Sequence, residues 1–484
     1  MSTPETEVLR QVAQWMEQTR WFAGKGRDWS LAAVRRVGEL PRPESEELPM
    51  PPEGLRVAIE IATVDYAAGG EEATELYQLP LAYYTEPQER LEHALVGEWD
   101  DPDFGTRHVY DAVHDREAMA LWLTAFAAPP TSTARGLLDF HRLPGHDLDL
   151  EQHSSLFSGE QSNSSVAFGE DALMKVFRKV TPGVNPDIAI HQVLTEAGSD
   201  HVASLYGWLD LVDDEADGTD STIQLAMLQQ FLRTASDGWD LALSSVRNLF
   251  AEADLHADEV GGDFAGEAAR LGVALAEVHQ DLAQHFPVEQ RDAATLEVLA
   301  SGMEERLDAA VEVVPQLAEH RERLRELFGR VRSLDGIEVQ QVHGDLHLGQ
   351  TLRTSRGWKI VDFEGEPAKP LAVRLKPDSV WRDVAGMCRS FDYAPRVVAM
   401  TGAGSERGVD ADQRSYRAGE WSARNREAFL AAYTAERGVD VEGSSAGILL
   451  EAYIADKAVY EAVYEARNRP GWIDIPLAAL GGTR

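Results

Sequence analysis

The hydrophobic pattern of this chain changes near residue 236, and this change constrains the fold more than any other feature. Before it, short apolar runs bounded by turn residues are typical of strands. After it, residues 239–250, 264–286, 296–314 and 317–331 carry apolar side chains at helical spacing. A chain of 484 residues also exceeds what one hydrophobic core usually supports. We therefore predict a bilobal α+β protein, with a β-rich lobe followed by a helical lobe.

The first hundred residues form a smaller unit of their own. A helical pattern at 8–19 precedes two strand-like runs at 55–62 and 75–82, and an Asp-Asp-Pro-Asp segment follows at 100–103. The predicted domains are therefore an N-terminal α+β domain over residues 1–103, a β-rich lobe over 104–235 and a helical lobe over 236–484.

Charge and composition exclude several classes of protein. With 45 Lys and Arg against 82 Asp and Glu, the formal net charge of −37 repels nucleic-acid phosphates and anionic lipid. Cys388 is the single cysteine, so no internal disulfide can form. Neither a secretory signal pattern nor an apolar run of membrane-spanning length is present. The sequence predicts a soluble cytoplasmic protein that binds neither nucleic acid nor membrane.

The segment from Val342 to Gln350, with Val361 to Glu364 after it, carries the strongest chemical signal. Phosphoryl transfer to an alcohol needs a carboxylate for the hydroxyl proton and oxygen ligands for Mg²⁺. Asp345 follows a strand-like run and can face the acceptor, while Gln350 and Asp362 can converge on the metal. His343 or Asp345 alone could be a core histidine or a turn residue, but the whole set in strand–loop–strand context favours a kinase catalytic loop.

A nucleotide-binding set lies upstream of this loop. Lys175 is a lone cation in an apolar strand-like run, where a kinase lysine holds the ATP phosphates. Alternatively, its side chain extends to solvent at a sheet edge. The turn before it carries the small polar residues Ser162, Asn163, Ser164 and Ser165. Gln229 and Gln230 end a strand-like run that fits an adenine-reading hinge. No Gly-x-x-x-x-Gly-Lys-Ser/Thr motif occurs, which excludes a P-loop enzyme.

These residues belong to a longer set of ordered motifs that resembles the bacterial maltokinases of the aminoglycoside-phosphotransferase-like, protein-kinase-like superfamily. The matching segments are 20–24, 160–163, 183–188, 246–252, 259–267, 343–350, 360–367, 382–386, 456–461 and 469–472. The resemblance implies a protein-kinase-like fold with an N-terminal cap domain. It also implies ATP- and Mg²⁺-dependent conversion of maltose to maltose 1-phosphate for α-glucan synthesis from trehalose, and it makes a trehalose synthase a candidate partner.

Under this resemblance Asp345 is the catalytic base, Gln350 and Asp362 hold Mg²⁺, and Lys175 binds the ATP phosphates. The sugar pocket is then expected near His347 and the segment from Asp456 to Glu461. Lys457, Tyr460 and Glu461 share a helical face by their spacing, although such a Lys/Glu pair is also common on solvated surfaces. Trp472 is a candidate stacking platform, with a core tryptophan as the alternative.

Two departures from the family pattern affect these expectations. Ala189 stands where maltokinases commonly have the glutamate that pairs with the lysine, so Lys175 must use another anion, such as Asp187 or the phosphates. Ala455 replaces the leucine, and Ile454 the glutamate, of the family sequence Ala-Tyr-Glu-Leu-Asp-Lys.

Because the family glutamate is missing at position 454, the sequence does not determine which sugar is the acceptor. A related actinobacterial branch phosphorylates glucosamine at its 6-hydroxyl, and the carboxylates of Glu364, Glu366, Asp456 and Glu461 would suit a cationic amine. A third reading is a catalytically weak, nucleotide-binding scaffold for a glucan-pathway enzyme, but the intact Asp345 argues against it.

Overall fold

The computed structural model describes residues 4–43, 45, 47–67, 74–129, 138–157, 163–212, 222–233, 235–252, 255–366, 369–401 and 409–481. By their contacts the residues fall into two compact units, Met1–Ala189 with Ala203–Arg233, and Ile190–Val202 with Thr234–Arg484. The first unit contains both the predicted N-terminal domain and the predicted β-rich lobe. The predicted boundary at residue 103 therefore stays a prediction.

The first unit contains two antiparallel sheets. Its strands are β1 (Trp29–Glu39), β2 (Arg56–Tyr66), β3 (Thr74–Tyr84), β4 (Leu95–Asp101), β5 (Gly105–Asp111), β6 (Leu138–Arg142), β7 (Ser154–Leu156), β8 (Asn163–Phe168), β9 (Ala172–Phe177), β10 (Lys179–Val180), β11 (Leu205–Leu211) and β12 (Ile223–Gln230). One sheet has the order β1-β2-β3-β5-β4, with β10 paired to β3, and the other has the order β6-β11-β12-β9-β8-β7. The helices of this unit are α1 (Pro4–Gln18), α2 (Arg116–Ala127) and the first residues of α3 (Pro186–Glu196).

The second unit is mainly helical. It contains the end of α3 and the helices α4 (Gly238–Ala251), α5 (Ala265–His285), α6 (Ala293–Val313), α7 (Arg321–Arg332), α8 (Leu371–Arg374), α9 (Trp381–Thr401), α10 (Val409–Arg437), α11 (Ser445–Asn468) and α12 (Asp474–Gly481). Its short strands are β13 (Ser236–Asp237), β14 (Glu289–Arg291), β15 (Ile337–Val339), β16 (Thr351–Thr354) and β17 (Gly357–Ile360). Side-chain caps start several helices, with Asp237 before α4, Asp292 before α6 and Ser444 before α11.

The change from strands to helices lies where the hydrophobic pattern predicted it, at the start of α4. The helix α2 was not predicted, because most of its surface is buried and no apolar stripe is visible in its sequence. The run at 337–343 forms a strand only to Val339, and its remaining residues belong to the loop that carries His343. No helix of the described residues is long and apolar enough to cross a membrane.

A buried ion pair connects the two sheets of the first unit. Arg178 follows β9 and is fully buried, and its Nη2 donates to both carboxylate oxygens of Asp111, at 3.0 and 2.8 Å. Its Nε donates to Ser164 Oγ at 2.8 Å, and its guanidinium lies 4.9 Å from the Trp21 ring. Because Asp111 ends β5 and Ser164 lies in β8, this one side chain joins both sheets.

Replacing Arg178 with Met should therefore destabilise the first unit by about 3–5 kcal/mol, because Asp111 is left as an unpaired buried charge. The free energy of unfolding, measured from urea transitions, checks this expectation. Arg56→Met provides the matched control, because the half-exposed Arg56 pairs with Glu39 at the surface, where a pair contributes at most about 1 kcal/mol. Equal losses for the two variants would contradict the assigned role of Arg178.

Candidate active site

The carboxylate of Asp383 holds the loop from His343 to Gln350 through backbone hydrogen bonds. The backbone amides of His343 and Gly344 donate to its two oxygens at 2.8 and 2.9 Å. Asp383 lies in the first turn of α9 and is 1% exposed. Gly344 has φ +84°, a conformation that glycine adopts without strain. The loop geometry therefore depends on one buried charge and one glycine.

Asp383 itself is oriented by two further buried side chains. His279 Nε2 lies 3.1 Å from its Oδ2, and His279 Nδ1 lies 2.8 Å from the Tyr433 hydroxyl. Burial lowers the pKa of His279, although Asp383 opposes this. Burial alone would raise the pKa of Asp383, but its bonds to His279 and the loop amides lower that pKa below its ordinary value. Asp383 is therefore an ionised acceptor beside a neutral imidazole.

The helix α9 also fixes the middle of the loop by close backbone contact. A Cβ at Gly386 would lie 2.4 Å from the Leu346 carbonyl oxygen, so only glycine fits there. One turn further along, Ser390 Oγ accepts a hydrogen bond from the Leu348 amide at 3.0 Å. These contacts determine where the side chain of Asp345 can point.

The carboxylate of Asp345 pairs with Lys457 of α11. Lys457 Nζ donates to Asp345 Oδ1 at 3.0 Å, and both side chains are partly exposed to the same cavity. Burial lowers the pKa of Lys457, but the nearby carboxylates of Asp345 and Glu461 outweigh burial and raise it. Lys457 is therefore charged, and it orients the carboxylate that is predicted to accept a proton.

The predicted metal ligands lie beside each other. Gln350 Nε2 donates to Asp362 Oδ2 at 3.0 Å, and the Gln350 amide oxygen is a further hard oxygen donor of this pair. Asp362 has φ +67°, the one positive φ of a non-glycine among the described residues, and such strain is concentrated at functional sites. His343 Nε2 lies 3.0 Å from the Val361 carbonyl oxygen and so ties this segment to the catalytic loop. The donor set fits Mg²⁺.

A cavity of about 660 Å³ opens beside Asp345. Its lining residues come from β13, α4, the loop from His343 to Gln350, the segment after β17, α9, α11 and the residues after α11. They are Asp237, Trp239, Asp345, His347, Gly349, Glu366, Gly386, Ser390, Tyr393, Lys457, Tyr460, Glu461, Tyr464, Glu465, Arg469 and Trp472. His347 Nδ1 accepts from the Gly349 amide at 3.1 Å, and burial lowers the pKa of His347, so its imidazole is neutral. The structure thus brings the predicted residues His347, Lys457, Tyr460, Glu461 and Trp472 into one cavity with Asp345.

One face of α11 forms the long wall of this cavity. Lys457, Tyr460, Glu461, Tyr464 and Glu465 follow each other at the spacing of one helical face. Between its first and last members the helix rises about 12 Å at 1.5 Å per residue. The cavity is therefore an elongated one that begins at Asp345 and continues along α11.

Charges and rings alternate along this wall. Glu461 Oε2 accepts from Arg389 at 2.7 Å, and burial raises the pKa of Glu461 while Arg389 opposes this. Further along, Arg469 pairs with Glu465 at 2.8 Å and its guanidinium lies 4.3 Å from the centre of the Trp472 ring. Tyr464, 45% exposed, offers its ring to the open end of the cavity.

Two predicted substrate residues lie outside the lining of this cavity. Both oxygens of Asp456 accept from Arg306, at 2.9 and 2.8 Å, and residue 456 lies at the edge of the lining face of α11, about 100° around the helix from Lys457. Glu364 is not among the lining residues either, and its carbonyl oxygen accepts from Arg374. The neighbouring Glu366 does line the cavity.

In the first unit, Lys175 pairs with Asp187, one of the two alternatives that the sequence left open. Lys175 Nζ lies 2.9 Å from Asp187 Oδ2, and both residues are buried. Asp187 lies in the first turn of α3, where a carboxylate is favoured by the helix dipole. Asp187, two residues before Ala189, therefore provides the anion that positions Lys175.

The other predicted nucleotide residues lie on β8 and β12. Asn163, Ser164 and Ser165 are buried in β8, where the Ser164 hydroxyl is occupied by Arg178, whereas Ser162 lies outside the described residues. Gln229 and Gln230 end β12. The Gln229 Oε1 atom is buried and makes no hydrogen bond within the described residues, so it can accept one from a ligand.

Several residues of the site were not found by sequence reasoning. Tyr464 and Glu465 continue the spacing of Tyr460 and Glu461 by one turn, so the helical period could have indicated them. Asp383 lies in the matching segment 382–386, but its role could not be read there because its loop partners are about forty residues away. Arg389 pairs with the nearby Asp392 and with Glu461, about seventy residues away, and only the second pair connects it to the cavity.

Replacing Asp383 with Asn should lower kcat by about 100-fold, because one oxygen that accepts from a loop amide becomes an NH₂ group and the loop shifts. Steady-state kinetics check this, with the unfolding midpoint measured in parallel. Asp263→Asn is the control, since Asp263 pairs with Arg424 outside the cavity. A normal kcat for Asp383→Asn would refute the role assigned to this carboxylate.

Replacing Asp187 with Ala should raise the KM for ATP about tenfold or more, because Lys175 loses the anion that positions it. The KM for the acceptor should change little, which separates this effect from general damage. Asp171→Ala is the control, since its carboxylate pairs with His146 elsewhere in the same unit. Unchanged ATP kinetics would show that the phosphates alone position Lys175.

Comparisons with known proteins identify the family and the fold of this chain. Residues 15–115 match the maltokinase N-terminal cap domain. A glucosamine kinase of Streptacidiphilus jiangxiensis is 31% identical over 332 residues, which cover 66% of this chain and 71% of that protein. A glucosamine kinase of Mycolicibacterium smegmatis is 28% identical over 331 residues, 66% of this chain and 77% of that protein.

A solved glucosamine kinase, in complex with glucosamine, ADP and inorganic phosphate, has the same fold. Its TM-score is 0.67 at 22% identity, and the match covers 97% of this chain and 98% of the other. The predicted fold class is thereby confirmed. The 31% identical relative shows that this chain is a sugar phosphotransferase of the family of these glucosamine kinases, and its N-terminal residues match the maltokinase cap domain.

Proposed function

We propose that this protein transfers the γ-phosphoryl group of ATP to the anomeric hydroxyl of maltose. The observation that carries this proposal is the length of the cavity beside Asp345, which continues for about 12 Å along α11. Such a length exceeds that of one pyranose ring. Its volume of about 660 Å³ also lies within the range of small-molecule sites, roughly 300–1,000 Å³.

The inner end of the cavity supplies the groups that act on the acceptor hydroxyl. Asp345 accepts the hydroxyl proton as the oxygen forms its bond to the γ-phosphorus and the bond to ADP breaks. Lys457 keeps Asp345 oriented until then. The neutral imidazole of His347 and the second oxygen of Glu461 can hydrogen-bond the hydroxyls of the reacting ring.

The outer end suits a second sugar ring. Tyr464 and Trp472 present aromatic faces, and sugars bind such faces with their C–H surfaces. The guanidinium of Arg469 lies on Trp472 and the carboxylate of Glu465 lies beside it. A ring stacked there would find charged hydrogen-bonding partners at its edge, which fixes its orientation as well as its position.

In the first unit, Lys175 and Gln229 are proposed to bind ATP. Lys175, held by Asp187, meets the phosphates, and the unpaired Gln229 Oε1 accepts from a donor of the base. In the second unit, Gln350 and Asp362 would hold Mg²⁺, which neutralises the charge of the transferring phosphates when bound.

Glucosamine is the second candidate acceptor, because the two curated relatives described above are glucosamine kinases. The carboxylates of Glu366 and Glu461 line the cavity and could bind an ammonium group. However, Glu461 is already paired with Arg389 and Glu366 with Lys369, which leaves less negative charge for the amine.

ATP consumption with maltose and with glucosamine in parallel tests the proposal. Turnover with maltose should give an anomeric phosphate, which NMR of the product identifies. Asp345→Asn should lose nearly all turnover while nucleotide still binds, whereas a scaffold would be unaffected. Turnover with glucosamine alone would refute maltose as the acceptor and retain the assignment of the catalytic residues.

Replacing Tyr464 with Ala should raise the KM for maltose by about tenfold, since a stacked ring is lost at the outer end of the cavity. The kcat should stay close to its original value, because Tyr464 does not contact Asp345. Tyr416→Ala is the control, as Tyr416 is an exposed tyrosine outside the cavity. An unchanged KM would place the second ring elsewhere.

The wider role also follows from the family resemblance. A maltose kinase would supply an activated disaccharide for α-glucan synthesis from trehalose, with a trehalose synthase as its partner. Co-purification of the two proteins from one cell extract would test that association.

A further inference from the structure

A second cavity in the helical unit lies apart from the cavity beside Asp345, which is called the acceptor cavity below. It occupies about 440 Å³ between α7, α10, α11 and α12, again within the size range of small-molecule sites. Its walls are largely apolar, with Leu324 and Leu327 of α7, Ile454 and Ala458 of α11, and Leu480 of α12. A ligand with an apolar body of modest size would fit this space.

The charged residues around this cavity are more cationic than the rest of the protein. Three arginines line it, Arg323, Arg330 and Arg426, against the two glutamates Glu326 and Glu451. The whole chain, in contrast, has a net charge of −37. Arg330 is paired with Glu451 at 3.0 Å at the rim, whereas Arg426 reaches from the cavity towards the protein interior. Arg426 is also paired at 3.5 Å with Asp392 behind the wall, so the charges nearly balance, and the guanidinium of Arg426 is the group that an entering anion would bind.

A line of alternating charges connects Arg426 to the acceptor cavity. Arg426 Nη1 lies 3.5 Å from Asp392 Oδ1, and Asp392 Oδ2 accepts from Arg389 Nη1 at 3.0 Å. Arg389 is 1% exposed, and its Nη2 donates to Glu461 Oε2 at 2.7 Å. Glu461 lines the acceptor cavity. Four side chains thus span the interior from one cavity to the other.

We propose that this second cavity binds a small organic anion with an apolar body, and that its binding weakens the binding of the sugar acceptor. An anionic group at Arg426 competes with Asp392 for the guanidinium. Asp392 then pairs more strongly with Arg389. Arg389 in turn neutralises less of the negative charge of Glu461. The charge and position of Glu461 in the acceptor cavity change as a result, and this inference holds for either acceptor sugar.

Hexanoate is a suitable probe, because it combines a carboxylate with a short apolar chain. Calorimetric titration of the full chain should show binding of hexanoate, with 1-hexanol and inorganic phosphate at least about tenfold weaker, since each lacks one half of the required chemistry. This measurement needs neither sugar nor nucleotide, so its outcome does not depend on the proposed function. Absence of hexanoate binding, or equal binding of the three probes, would overturn the proposal.

Saturating hexanoate should also raise the KM for the sugar that is turned over about fivefold or more, at the lower end of typical allosteric coupling. By reciprocity, the sugar should weaken hexanoate binding by the same factor by which hexanoate raises the dissociation constant of the sugar. Binding of hexanoate without either effect would overturn the coupling. If the protein turns over neither maltose nor glucosamine, the proposed function is refuted instead. The calorimetric titration of hexanoate in the presence of each sugar would still measure the coupling.

Single substitutions test the binding site and its coupling to the acceptor cavity separately. Arg426→Gln should weaken hexanoate binding about tenfold, whereas Asp392→Asn should retain binding and abolish the KM shift. Arg321→Gln is the matched control on α7, since Arg321 pairs with Asp308 outside the cavity. If Arg426→Gln does not fold, Leu327→Trp fills the cavity from its wall and should abolish binding. Hexanoate binding that survives both substitutions would overturn the site.

Discussion

The catalytic loop of this protein is held by the carboxylate of Asp383, which accepts hydrogen bonds from two consecutive loop amides. Such an arrangement is costly unless the buried charge is fully paired, and here His279 and the amides of His343 and Gly344 provide that pairing. The direction of the Asp345 side chain follows from it. Without this anchor only the contacts of Gly386 and Ser390 would connect the loop to α9, and the inner end of the cavity would be less well defined.

The helix α11 complements this anchor from the other side of the cavity. Lys457 pairs with Asp345, and the same helical face continues through Glu461 to Tyr464. One helix therefore orients the carboxylate of Asp345 and provides the long wall of the cavity beside it.

Buried ion pairs organise both units of the structure. In the first unit Arg178 connects two sheets through Asp111 and Ser164, and Lys175 is oriented by Asp187. In the second unit Arg389 lies beneath the acceptor cavity between Asp392 and Glu461. Because a buried charge tolerates few arrangements, these pairs define positions more sharply than apolar packing alone.

The sequence by itself determined the class of chemistry, since the spacing of Asp345, Gln350 and Asp362 and the lone Lys175 in an apolar strand are local features. It also determined the change from strands to helices, because hydrophobic periodicity is read over a single element. Only the tertiary structure decided that Asp383 holds the loop, that Asp187 pairs with Lys175 and that Asp456 pairs with Arg306 instead of lining the cavity. Each of these depends on side chains brought together by packing, and a one-residue step around α11 rotates a side chain by about 100°. Spacing alone therefore identified the face of Lys457 and Tyr460 but not which neighbours share their cavity.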